Sequence, residues 1–151
     1  LPDSPANNAF IAQVLADISQ TTDVVLLNTG QRYDDHSDFT PPRRDRLHTV
    51  EHLMTPETNL EVQTRIICGA RAFVGTYGGF SYLAPFCGTN AVAFYSNPTA
   101  FRFDHLEVSK RVFSSLKNGG FVPLDVKDVD VVRLALGRVD EARQSEVGVT
   151  L

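Results

Sequence analysis

The sequence predicts an α/β fold of three layers, with a mostly parallel sheet of about five strands between helices. Three observations predict it. Short continuous apolar runs, such as Val24-Val25-Leu26-Leu27 and Ala91 to Tyr95, have the pattern of strands buried on both faces. Segments with helical apolar spacing, opened by Ser, Thr or Asp, alternate with those runs. At 151 residues and 42% hydrophobic content, the chain is long enough to bury one real core. Strands alternating with helices imply parallel pairing with both sheet faces covered.

The elements follow in order. Ser4-Pro5 predicts a helix with a serine cap and proline in its first position. Phe10, Ile11, Val14, Leu15 and Ile18 then share one face. Asp23 leads into the first strand, Val24 to Leu27, which ends at Asn28-Thr29-Gly30. Residues Gln31 to Arg46 are polar, contain Pro41-Pro42 and read as a long surface loop. Leu47 to Val50 reads as a short strand. Thr55-Pro56-Glu57 predicts the next helix start, with Leu60, Ile66, Ile67 and Ala70 facing inward. Ala72 to Gly75 is a strand, followed by a Gly-rich turn, a short helix over Ser81 to Phe86 and a strand over Ala91 to Tyr95. Asp104 with Glu107 resembles a capping box. Leu106, Val112, Phe113 and Leu116 form the inner face of that helix, and Asn118-Gly119-Gly120 stops it. Phe121 to Val126 is the last strand, placed at an edge by Pro123. Asp128 caps a final helix through about Leu136. The reading is one domain over residues 1–139 and a loose polar tail over 140–151.

Composition narrows the function classes. The net charge of −4 gives no footprint for DNA or RNA, and Arg43-Arg44-Asp45-Arg46 is short and interrupted by an acid, so it reads as a solvated loop. Cys68 and Cys87 form no CxxC or Cys/His cluster and are expected to be reduced, buried, small apolar residues. No apolar run approaches the roughly 20 residues that span a bilayer. Leu1-Pro2-Asp3-Ser4-Pro5 lacks the basic start of a signal peptide, so the expectation is a cytoplasmic protein. His36, His48, His52 and His105 are dispersed. His48 and His52 are four apart without an HExxH pattern, and Asp34-Asp35-His36-Ser37-Asp38 lacks a calcium-loop spacing, so no metal site is expected.

The chemistry points to Gly75-Thr76-Tyr77-Gly78-Gly79-Phe80-Ser81. This turn lies where a strand's carboxyl end meets a helix's amino end. Free backbone N–H groups and the positive end of the helix dipole favour an anion there, typically a phosphate. Adjacent glycines let the backbone approach a ligand. The turn matches neither GxGxxG nor GxxxxGK[ST], which argues against a dinucleotide fingerprint or a P-loop. In open parallel sheets, ligands sit outside the carboxyl ends of the strands. That rule gathers Asn28-Thr29-Gly30, Thr49-Val50-Glu51-His52, the Gly-rich turn and Ser96-Asn97-Pro98 at one rim. Tyr77 lies within the turn, where it could stack on a base or sugar; the neighbouring aromatics read as core.

The stretch QTRIICGARAFVGTYGGFSYLAPFCGTNAVAFYS, Gln63 to Ser96, resembles the carboxy-terminal half of GT-B glycosyltransferases. The likeness is carried by Ser81-Tyr82-Leu83-Ala84-Pro85-Phe86-Cys87-Gly88 on the helix after the turn, and by the strand Ala91 to Ser96. It covers about 30 residues as pattern and residues 5 to 136 as element order. The resemblance implies a Rossmann-like domain that binds a nucleotide-sugar donor and uses no further cofactor. Gly78, Gly79, Phe80 and Ser81 would then meet the diphosphate, and Thr76 and Tyr77 would line the pocket. Thr49, Val50 and Glu51 would hold the base, with His48 or His52 in reach of base or phosphate.

Two departures follow from the same comparison. A GT-B enzyme has a second, amino-terminal domain, and its carboxy-terminal domain opens with a strand rather than a helix. The expectation is therefore a fragment of a two-domain enzyme, inactive by itself, with no catalytic base assigned and an exposed sheet edge open to pairing with a second copy. The other readings are a non-catalytic nucleotide-binding module and a structural α/β interaction domain. A flavodoxin-like response domain fits less well, because the paired acids expected near its first strand are absent.

Overall fold

In the computed structural model, which describes residues 1–30, 38–116 and 119–129, the chain opens on helix α1 (Pro5–Ser19). Ser4 is extended, and its Oγ accepts a hydrogen bond from the Asn7 N–H at 3.2 Å. Proline at the first position has no N–H to leave unpaired, so the start is settled locally. Leu15 is buried, and the Phe10 ring meets Phe94 edge-on with centroids 4.9 Å apart.

Strands β1 (Val24–Leu26) and β2 (Leu47–Thr49) pair in parallel, Val24 opposite Leu47 and Leu26 opposite Thr49. A short 3₁₀ turn over Glu51–Leu53 leads to helix α2 (Asn59–Gly69). Strand β3 (Ala72–Thr76), helix α3 (Gly79–Phe86) and strand β4 (Asn90–Tyr95) follow. Helix α4 (Phe103–Leu116) and strand β5 (Phe121–Asp125) come next among the described residues. β3, β4 and β5 form a parallel sheet in that order, with Phe73, Ala91 and Phe121 in one row and Val74, Val92 and Val122 in the next. Pro123 sits on β5, at the sheet's edge, where its missing N–H interrupts no central ladder.

The fold is thus α/β with parallel pairing, but among the described residues the strands form two small sheets, of two and three strands, rather than one sheet of five. β1 ends at Leu26. Leu27 leaves the strand, and its side chain packs against the core of the three-stranded sheet. The two sheets meet there through apolar contact. The core lies on one face of β3-β4-β5, where Ala91, Ala93 and Phe121 meet Ile67 of α2, Ala84 of α3, and Leu106 and Phe113 of α4. Leu60, Val112 and Leu116, expected on inner helix faces, are exposed instead.

Local chemistry moves several boundaries. Thr55 does not cap α2. Its hydroxyl donates to Glu57 at 2.8 Å, and a turn over Thr55–Thr58 delays the helix to Asn59. α3 begins at Gly79, two residues before the expected start. It ends in a Schellman turn: Gly88, with φ +83°, donates to Pro85 O at 3.0 Å, and Thr89 N–H donates to Ala84 O at 2.9 Å. Asp104 lies inside α4 and pairs with Arg102 rather than capping the helix. Gly119 is required by close approach, because a Cβ there would run into the Thr89 carbonyl. At the last 3₁₀ turn, Val126–Asp128, the cap is Asp125, which accepts from Lys127 N–H at 3.0 Å. The expected final helix beyond Val129, the tail over 140–151 and the loop over 31–37 lie outside the described residues.

The cysteines correct an expectation. Cys68 and Cys87 are joined in a disulfide with Cα atoms 4.9 Å apart, and Cys68 is exposed rather than buried. The buried Thr89 hydroxyl donates to Ile67 O at 2.9 Å, which holds the end of α2 beside the end of α3. The Schellman turn places Cys87 against Cys68 at that corner. The basic run 43–46 is exposed, as expected, and lines a cavity of about 430 Å³ with Ser19 and Gln20. That cavity lies at the amino-terminal ends of β1 and β2, because Val24 N–H donates to Arg46 O there.

Candidate functional site

The carboxyl ends of the strands carry the residues that the sequence singles out. Parallel pairing of β1 with β2 brings Asn28-Thr29-Gly30 beside Thr49-Val50-Glu51: a Cβ built on Gly30 would stand 3.8 Å from that of Glu51. Thr49 and Glu51 are exposed and Val50 is half-buried. Gly30 has φ +70°, a conformation that L side chains rarely adopt. Its N–H and that of Thr29 both donate to Asp38 Oδ2, at 2.7 and 2.8 Å. His48 is turned away from this loop and pairs with Asp23, which precedes β1, at 3.1 Å; His52 is exposed.

β3 delivers the Gly-rich turn beside the end of β4. Tyr77 N–H donates to Phe94 O at 2.8 Å, so the strand ladder runs one residue past Thr76. Gly78 then turns the chain in an extended conformation that any residue adopts. A Cβ at Gly78 or Gly79 would meet nothing within 4 Å. Neither packing nor a positive φ therefore requires glycine at these two positions. Gly75 differs, because the Phe73 ring stands 2.7 Å from where its Cβ would be.

Ser81 is fully buried and braces the turn. Its Oγ accepts from Gly78 N–H at 3.0 Å and donates to Gly78 O at 2.7 Å. The hydroxyl is thereby committed to the protein rather than offered to a ligand. Among the described residues, the N–H groups of Gly79 and Phe80 have no acceptor, as the first turn of a helix requires. Gly79 is exposed, so the open donors, the helix dipole and the side-chain-free backbone share one spot.

Tyr77, expected to offer its ring to a ligand, packs inward. Its ring lies 4.7 Å from Phe101 and 5.5 Å from Tyr82, and its hydroxyl accepts from Tyr82. Burial, followed by the Tyr77 hydroxyl, raises the Tyr82 pKa above the ordinary tyrosine value. A ring this apolar gains more from the Phe101–Tyr95 cluster than from solvent. Phe80 is half-buried against the same core, and Thr76 is exposed.

Sequence reasoning missed Arg102. The Tyr77 hydroxyl lies 3.4 Å from Arg102 O, which sets the start of α4 beside the Gly-rich turn. The Arg102 guanidinium meets Asp104 in two-point contact, Nε to Oδ1 at 3.1 Å and Nη2 to Oδ2 at 2.7 Å. That partner holds the Asp104 carboxyl down at about 2. No motif marks Arg102, since its proximity to the turn arises 25 residues along the chain.

Among the described residues, no three His, Cys, Asp or Glu side chains converge on a metal-sized site, and no helix is long and apolar enough to cross a membrane. Asp34, Asp35 and His36 lie outside the described residues. Comparison with known protein families, curated proteins and solved structures finds no match to this chain.

Proposed function

We propose that the chain is the donor-binding domain of a glycosyltransferase of the GT-B kind, with a Rossmann-like arrangement, that holds the diphosphate of a nucleotide sugar at the Gly78–Gly79 turn. One observation carries the reading. Gly78 and Gly79 are free of packing and conformational demands, and they expose unpaired N–H groups at a helix amino end. A ligand that approaches the backbone closely is the remaining physical reason for two glycines there. The Thr49–Glu51 loop, at the carboxyl end of its own parallel pair, is the candidate base-binding element. The domain's contribution to transfer is electrostatic: fixed backbone dipoles stabilise charge developing on the departing diphosphate. The reaction itself would need an acceptor-binding domain. Ser81 contributes by shaping the turn.

The test is thermal stability against millimolar UDP, GDP, ADP and CDP and their sugars. A ligand at 100 times its dissociation constant adds about 2.7 kcal/mol. Stabilisation by one diphosphate and its sugar supports the reading and names the base. Equal stabilisation by every nucleotide, with no preference for a sugar, points to a non-catalytic nucleotide module. A flat panel on folded protein makes the turn architectural and overturns the proposal.

A further inference from the structure

The amino-terminal ends of β1 and β2 carry a second concave surface, at the strand ends opposite to the Thr49–Glu51 loop. It encloses about 430 Å³, lined by Ser19 and Gln20 at the end of α1 and by Arg43, Arg44, Asp45 and Arg46 ahead of β2. That volume suits a small molecule rather than a single ion. Positive charge gathers here against the trend of the chain, which has 14 Lys and Arg against 18 Asp and Glu. The wall has three guanidiniums and one carboxylate, an excess of two positive groups. Among the described residues, the ion pairs are His48 with Asp23, Arg65 with Glu61 and Arg102 with Asp104. None of the cavity arginines is spent on a carboxylate.

The arginines hang on a fixed frame. Val24 N–H donates to Arg46 O at 2.8 Å, and Leu47 N–H donates to Arg44 O at 3.2 Å. Pro41-Pro42, with restricted φ, leads into the run. Ser19 is buried and its hydroxyl donates to Ala16 O at 3.3 Å, so it shapes the wall. Gln20 is exposed and adds an amide that both donates and accepts. Guanidinium forks meet phosphate oxygens in two-point contact. A phosphomonoester carries about −1.5 to −2 charge at pH 7, which matches an excess of two positive groups. Nucleic acid calls for a larger basic footprint, and an anionic membrane surface for clusters of about 4–8 basic residues.

We propose that this cavity binds a small phosphomonoester, with the phosphate on Arg43, Arg44 and Arg46 and a polar body against Gln20. The site shares no residue with the Gly78–Gly79 turn, so it stands or falls apart from donor binding. Calorimetric titration of the full chain with glycerol 3-phosphate, glucose 6-phosphate, AMP, inorganic phosphate and phosphate-free glucose tests it. At least one monoester should bind saturably and more tightly than inorganic phosphate, and glucose should not bind. Arg44→Ala and Arg46→Ala should each weaken that binding by about tenfold or more, since each removes a charge-assisted contact. Asp45→Asn should tighten it, because a like charge leaves the wall. The side chains of Arg44 and Arg46 are exposed and the frame is held by backbone groups, so the fold should survive these changes. No saturable binding overturns the proposal, as do monoesters no tighter than inorganic phosphate, or binding indifferent to the arginines. Binding only to vesicles that carry a phosphoinositide also overturns it and places the phosphate on a membrane. If a variant does not fold, amide shifts of the wild-type chain in the same titration decide. Changes centred on residues 19–20 and 43–47 support the site, and changes confined elsewhere refute it.

Discussion

Replacing Gly79 with valine separates a ligand-binding glycine from a packing one. A Cβ at Gly79 meets no atom within 4 Å, and the residue is the first of α3. Valine therefore fits without displacing the protein, and its helix propensity exceeds that of glycine. Folding stability should change by less than about 1 kcal/mol. The isopropyl group would stand over the unpaired N–H groups of Gly79 and Phe80. Excluding a charged oxygen from one such donor removes about 1.5–3 kcal/mol, or roughly 10- to 150-fold in dissociation constant. Urea denaturation gives the first quantity. Calorimetric titration with the diphosphate that stabilises the wild-type chain gives the second. Unchanged affinity would show that the ligand does not touch this backbone. A fall in stability of several kcal/mol would show that the glycine serves packing after all.

Other residues give independent checks. Ser81→Ala removes both hydrogen bonds that brace Gly78 and should destabilise the chain by about 1–3 kcal/mol, measured by denaturant unfolding, with a weaker diphosphate site. Cys68→Ser with Cys87→Ser opens a cross-link between positions 19 apart and should lower stability by roughly 3 kcal/mol, while intact mass under non-reducing conditions should show the wild-type chain lacking two hydrogens. Asp104 should titrate near 2 by carboxyl-carbon NMR and return toward its ordinary 3.8 in Arg102→Ala. Because its folded value is depressed, the stability it contributes is present above about 3.8 and lost as pH falls through about 2.

The cysteines and Tyr77 show where sequence reasoning stops. Cys68 and Cys87 carry no spacing motif, and their pairing depends on the Thr89 hydroxyl and the Gly88 turn, which bring two helix ends to one corner. Tyr77 sits in a Gly-rich turn, where exposure is the natural expectation. Its inward packing is set by Phe101 and Tyr82, and the former lies 24 positions on. The glycines are a similar case. Gly75, Gly78, Gly79 and Gly119 look alike in sequence, yet Gly75 and Gly119 face close neighbours and the other two face open space.

By itself the sequence determined the alternation of helices with parallel strands, the Ser4-Pro5 start of α1, the edge position of the Pro123 strand and the location of the Gly-rich turn. These follow from forces between residues a few positions apart: caps, fixed φ angles, missing donors and apolar period. Only the tertiary structure decided that the five strands among the described residues divide into two sheets, that Ser81 braces the turn instead of facing outward, and that the Arg102 carbonyl meets the Tyr77 hydroxyl. Those outcomes depend on which distant side chains win the same buried space. That competition is settled by packing and hydrogen bonding across the fold, and no local pattern records its result.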